Sequence, residues 1–178
     1  MKKIPTLYER DENDRKHVIP GQVTEGCEWV LRGEGQATRK YDGTCTMLDD
    51  DGKWWARREV KPGKDAPPGW REVDHDDVTG KRVGWEPIEQ TGWTKFHAEA
   101  LAGWSWDAGT YELCGPRVNG NPEGLADHVL IPHGRYPLDV PRDFDGLSGY
   151  LLDHTFEGIV WHHPDGRRAK LKRRDLRR

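Results

Sequence analysis

Two Asp-Gly dipeptides limit the possible folds of this chain more than any other feature. Asp51-Gly52 stands between YDGTCTML and KWWARREV, and Pro164-Asp165-Gly166 stands between FEGIVWHH and RRAKLKRR. The flanking runs lean towards strand, and Asp-Gly between such runs is a hairpin signal. A two-residue turn at Asp165-Gly166 sets Pro164 opposite Arg167, Trp161 opposite Lys170, Ile159 opposite Lys172 and Glu157 opposite Arg174. Opposed residues point to one side of a sheet. The expected face therefore carries Glu157, Lys170 and Lys172 together with Ile159 and Trp161. Charges among apolar neighbours need partners, whether in a plain Glu–Lys ladder or in a binding site. The same count across Asp51-Gly52 puts Arg57 opposite Thr46, on the face of Thr44 and Asp42. Lys40 joins that face if the chain is still extended there, and Arg58 points away.

Between the hairpins, EPIEQTGWTKFHAEALAG has apolar residues near helical spacing, and RDFDGLSGYLLDH reads as a second helix. TYELCG and HVLIPHG read as strands around the turn-rich PRVNGNPEG, while Val60 to Asp77 reads as a long surface loop rich in Pro, Gly and Asp. The expectation is an α+β fold, mainly antiparallel sheets flanked by helices. With no repeat and no internal boundary, residues 1–178 are expected to form a single domain and a monomer. At 178 residues the chain can build a core without staples.

Only 34% of residues are hydrophobic and 33% are charged, but nine tryptophans supply apolar area to bury. No run approaches eighteen apolar residues, and MKKIPTLYERDEN lacks the apolar segment of a signal peptide. Cys27, Cys45 and Cys114 are odd in number and far apart, as expected of free thiols in a reducing cytoplasm. No CxxC or HExxH spacing exists, and His128 and His133 stand alone, which argues against a zinc site. The net charge of −3 rules out a globally basic nucleic-acid coat. Its distribution is uneven: Asp74, Asp76 and Asp77 are acidic, and RRAKLKRRDLRR is strongly basic, either a solvated tail or a phosphate-binding strip.

Lys40-Tyr41-Asp42-Gly43 alone reads as a lysine beside an ordinary Asp-Gly turn. Its context changes that reading. An arginine, then YELCG, then FEGIVW, then KLK follow in order. This succession resembles the nucleotidyltransferase superfamily of ATP-dependent polynucleotide ligases and mRNA capping enzymes, from about Thr38 to Arg174. KYDGTCTML, WWAR, YELCGPRVNGNPEG and HVLIPHG most resemble its RNA ligase branch, in particular compact single-domain members. The chain ends just after the Lys-x-Lys strand, leaving no room for an OB-fold domain, so a partner protein is one expected source of substrate binding.

The resemblance implies an ATP-dependent RNA ligase, joining RNA 5′-phosphate and 3′-hydroxyl ends through a covalent lysyl-AMP intermediate, with Mg²⁺ or Mn²⁺. It implies Lys40 as nucleophile and Glu157 as metal anchor. Thr38, Arg39, Asp42, Gly43, Arg57, Glu112, Lys170 and Lys172 are implied as nucleotide-contacting residues. Gly43 is expected to permit a tight backbone turn. Asn119 and Asn121 read as turn formers, and His133 is open to two readings, adenine pocket or structure. Arg177 and Arg178 are expected in solvent, available to an RNA backbone. The competing readings are a DNA ligase, a capping guanylyltransferase and a non-catalytic nucleotide- or RNA-binding module.

Overall fold

A computed structural model describes residues 1–177; Arg178, which the sequence places in a solvated tail, lies outside the described residues. In chain order the strands are β1 (Tyr8–Arg10), β2 (Val18–Val23), β3 (Gln36–Lys40), β4 (Thr44–Leu48), β5 (Trp54–Val60), β6 (Arg71–Asp76) and β7 (Lys81–Pro87). Helix α1 (Thr94–Leu101), β8 (Gly109–Cys114), β9 (Val129–Pro132), α2 (Phe144–Asp153), β10 (Gly158–His162) and β11 (Arg168–Lys172) complete them. The fold is α+β, and every strand pair is antiparallel.

Two compact units divide the chain. The first is Met1–Lys3 with Asp42–His133, and holds a six-stranded sheet in the order β6-β7-β5-β4-β8-β9. Alternation along the strands sends Thr46, Tyr111 and Leu113 to one face, where Ala100 of α1, Val118 and Leu130 join them in a buried cluster. The other face carries Cys45, Met47, Trp55, Arg57 and Glu112.

The second unit is Ile4–Tyr41 with Gly134–Arg178, and holds the sheet β11-β10-β3 and the pair β1-β2. Ala37, Ile159, Trp161, Ala169 and Leu171 face its core, where Leu147 and Leu151 of α2 cover them. Helix α2 starts where Asp143 takes the N-cap, its Oδ1 accepting the Gly146 amide at 2.8 Å. The opposite face carries Thr38, Lys40, Val160, Lys170 and Lys172.

Both hairpin registers differ by one residue from the sequence expectation. His163 N donates to Arg167 O, and Gly166 N donates back to His163 O, each at 3.0 Å, so the loop has three residues. Proline suits the second position of a type I turn, and Gly166 then takes the left-handed conformation at φ 91°. The loop therefore starts at Pro164. Val160, not Trp161, faces Lys170, and Gly158, not Ile159, faces Lys172. Ile159 and Trp161 belong to the core, and the lysines to the other face. The first hairpin shifts the same way: Asp49 N donates to Lys53 O at 3.0 Å, and Gly52 has φ 77°. Ala56, not Arg57, faces Thr46.

The expected loop Val60–Asp77 also needs correction, because its second half is β6. REVDHD has no apolar stripe, as suits a strand at the sheet edge with charged, mostly solvent-facing side chains. Four tryptophans, Trp29, Trp55, Trp85 and Trp161, are buried, whereas Trp104 is exposed. No helix among the described residues is long and apolar enough to cross a membrane.

Candidate active site

In the second unit, β3 delivers Lys40 to the sheet edge opposite Gly158 of β10, and Gly158 in turn faces Lys172 of β11. A Cβ on Gly158 would run into the Leu171 carbonyl oxygen and lie 2.8 Å from Lys172 Cα. The Glu-Gly pair thus has a packing reason, because only glycine lets β10 lie this close to β11. Glu157, just before that glycine, bridges two ammonium groups: Oε2 accepts from Lys40 Nζ and Oε1 meets Lys172 Nζ, each at 2.5 Å. Burial raises the Glu157 pKa, yet Lys40 and Lys172 outweigh it and hold the carboxyl below its usual range. Lys170, on the same face as Lys172, falls to about 8, chiefly through burial and then through the charges of Lys172 and Lys40. Three amines and one carboxylate leave an excess of positive charge on one sheet face, a suitable environment for phosphate oxygens.

The end of β11 is fixed from two sides. Asp175, buried, accepts Arg10 Nη2 at 2.7 Å on one oxygen and the Lys172 amide at 3.0 Å on the other. Arg177 is not a free tail residue: its guanidinium is 2.5 Å from Asp11 and 3.8 Å from Asp14. Thr38, buried on the Lys40 face, donates to Val160 O at 3.2 Å and lies 3.1 Å from His162 Nε2. Arg39 alternates to the other side, its guanidinium 4.6 Å from the Tyr41 ring centre and 5.3 Å from that of Phe156. The structure does not bring it to Lys40.

In the first unit, carboxylates hold the backbone of Asp42 and Gly43. Asp42 N donates to Glu123 Oε1 at 2.9 Å, and Gly43 N donates to Glu112 Oε1 at 3.0 Å. Asn119 donates to Gly43 O at 2.7 Å and to Asp42 Oδ1 at 3.3 Å. Asn119 and Asn121 do have turn geometry, with φ 49° and 58°, and the turn also aims Asn119 at Asp42-Gly43. Gly43 is not among the residues with positive φ. Its need for glycine is close approach: a Cβ there would strike the Leu113 carbonyl oxygen and lie 2.7 Å from Cys114 Sγ.

Glu112 Oε2 takes His133 Nε2 at 2.9 Å, and His133 Nδ1 lies 3.0 Å from Thr110 Oγ1. Arg57 shares this sheet face, its Nε donating to Met1 O at 3.4 Å. Arg58 points to the other face and bonds the buried Glu86 at 3.2 Å. Sequence reasoning missed Asn119, Glu123, Arg10 and Asp175 as supports, and did not join His133 to Glu112. Their contacts span long stretches of chain, and no local spacing signals them.

For the metal that the resemblance implies, Glu157 offers hard oxygen donors beside the lysines, which fits a cation that keeps waters and phosphate oxygens as its other ligands. Among the described residues, Glu157 is the one carboxylate in the bridge, with both oxygens engaged by the lysines.

No family model matches the chain. It is similar to curated proteins named RNA ligase 1. The one from Pongo abelii is 26% identical, with 78% of this chain and 66% of the relative covered. The one from Danio rerio is 27% identical over 79% of this chain and 66% of its own length. These likenesses support an RNA ligase family. The relative from Mus musculus, 26% identical, matches over the same 79% of this chain. The chain spans 66% of the length of the relatives it matches.

Proposed function

We propose that this chain is an ATP-dependent RNA ligase that joins 5′-phosphate and 3′-hydroxyl ends through a lysyl-AMP intermediate on Lys40. The observation that carries the reading is the Lys40–Glu157–Lys172 bridge beside the half-buried Lys170. Lys40 Nζ attacks the α-phosphorus of ATP, a P–N bond forms, the bond to the β-phosphate oxygen breaks, and pyrophosphate leaves. The adenylyl group then passes to an RNA 5′-phosphate, and a 3′-hydroxyl displaces AMP to form the phosphodiester. Each step is in-line transfer, in which positioning and charge neutralisation supply most of the catalysis.

Lys40 must attack as a free amine, and its Nζ is bonded to Glu157 Oε2. Glu157 must therefore release the Lys40 amine before the P–N bond forms. Lys170 and Lys172 hold the α-phosphate oxygens. Mg²⁺ or Mn²⁺, held by Glu157, would neutralise charge on the phosphates. Glu112 and Arg57 contact the nucleoside, Asp42 and Gly43 shape the loop after the nucleophile, and Thr38 fixes β3. Arg39 braces the strand through Tyr41 and Phe156.

Intact mass after incubation with each NTP and Mg²⁺ tests the reading. The expected result is an AMP adduct, labile to acid and absent without divalent metal. A GMP adduct supports capping chemistry instead, and no adduct with any NTP refutes covalent nucleotidyl transfer.

A further inference from the structure

Cys45, Glu112 and His133 bring a thiol, a carboxylate and an imidazole together, with one potential ligand atom from each within 4.8 Å of the others. Cys45 and Glu112 are cross-strand partners on β4 and β8, the two strands that run beside each other inside the six-stranded sheet. His133 follows β9, where its amide donates to Thr110 O at 3.0 Å. All three groups therefore stand on one sheet face within a single unit. The thiol is not in a disulfide and lies 4.0 Å from the Thr46 carbonyl oxygen.

We propose that these three residues bind a thiophilic divalent cation of the zinc class, and that its binding withdraws Glu112 from the nucleotide. The second half rests on the function proposed above. Thiolate, imidazole and carboxylate are the ligand types zinc takes, and three protein ligands leave a fourth tetrahedral position for water. A cation that demands all-oxygen ligands, such as Mg²⁺, is a poor match. The second ring nitrogen of His133 already has an acceptor, because Thr110 Oγ1 lies 3.0 Å from Nδ1, and such an outer partner orients a ligating imidazole.

Proton bookkeeping makes the proposal specific. With a neutral imidazole, the ring proton moves from Nε2, where Glu112 now takes it, to Nδ1, where Thr110 accepts it. Cys45 loses its thiol proton to solvent as the sulfur–metal bond forms. Glu112 Oε1 keeps the Gly43 amide, while Oε2 exchanges His133 for the cation. A single proton is released to solvent per cation bound.

The test titrates the nucleotide-free protein with Co²⁺, then displaces it with Zn²⁺. The expected signature is a thiolate-to-cobalt charge-transfer band with the intense visible bands of tetrahedral cobalt, abolished by Zn²⁺ but not by Mg²⁺. Cys45→Ser and His133→Asn should lose it, and Cys27→Ser should keep it, with circular dichroism confirming that each variant is folded. Absence of the band, or its survival in Cys45→Ser, overturns the site. In the second arm, stoichiometric Zn²⁺ should lower AMP-adduct formation at least about tenfold in the wild type, reversibly on chelation. Zinc should leave the rate of Cys45→Ser unchanged relative to the same variant without zinc. Equal zinc inhibition in both would move the effect elsewhere and overturn the Glu112 link. If zinc-free protein supplied with ATP and Mg²⁺ forms no adduct, the ligase reading fails, and the cobalt spectrum still decides the cation site.

Discussion

Lys40 is held by one carboxylate that it shares with Lys172, so its removal leaves Glu157 still paired. Lys40→Ala should therefore cost little stability, within about 1 kcal/mol, while abolishing the AMP adduct. Lys40→Arg should also form none, because a guanidinium stays protonated and is a poor nucleophile. Intact mass and thermal unfolding on the same samples check both, and a normal adduct in either variant removes Lys40 as nucleophile. The members of this bridge could be read from the sequence because their residue types follow in order along the chain. Their supports could not. Asp175 fixes the Lys172 amide and takes Arg10 from the far end of the chain. The link from Asn119 to Gly43 also closes only in the folded unit.

At the scale of elements, both hairpins could be read from the sequence, but their register could not. Asp-Gly suits a two-residue loop and the last two positions of a three-residue loop alike, and Pro164 decides for the longer one through its fixed φ. The one-residue shift moves Ile159 and Trp161 to the core and frees the lysine face from them. For the arginines it changes the reason for separating Arg57 from Arg58. Arg57 shares a face with Glu112, and Arg58 neutralises the buried Glu86. Arg57→Ala should cut adduct formation strongly with little change in melting temperature. Arg58→Ala should lower the melting temperature by leaving Glu86 unpaired, at about 1–3 kcal/mol, and spare the chemistry. The reverse pattern would contradict the observed register. Glycines divide in the same way. Gly43→Ala and Gly158→Ala should each destabilise by about 1–3 kcal/mol, since backbone atoms block the new methyl. Gly149→Ala in α2, with nothing within 4 Å of its Cβ position, should stabilise by about 0.5–1 kcal/mol. Chemical denaturation of the three variants checks the opposite signs.

Over the whole molecule, titration gives each unit its own pH signature. In the first unit, His97 of α1 is buried, with Nε2 unpartnered and its ring against Trp54, and burial lowers its pKa to about 4. The unfolded chain then binds a proton that the folded one refuses, so stability falls as pH drops from 6.5 towards 4. The loss reaches up to about 3 kcal/mol, at about 1.4 kcal/mol per pH unit. In the second unit, burial and neighbouring lysines lower Lys170 from 10.5 to about 8. Its charged form is the one the fold disfavours. The cost is full below pH 8 and disappears as pH rises to 10.5, so stability rises across that window by about 2 kcal/mol after a discount for partial solvent contact. The carboxylates of lowered pKa, Glu157 among them, act below about 4.5, at the foot of the lower window, while the Cys27 thiol and Tyr8 hydroxyl, whose pKa values burial raises, oppose the Lys170 gain above about 9. His97→Leu should flatten the lower window, and Lys170→Met the upper, as read by melting temperature against pH. Lys170→Met should also raise stability at pH 7 while lowering AMP-adduct formation, because the group the fold disfavours is the one proposed to hold the α-phosphate. A Lys170→Met protein that is less stable than the wild type at pH 7 would show that this lysine is a structural support, not a cation held for phosphate.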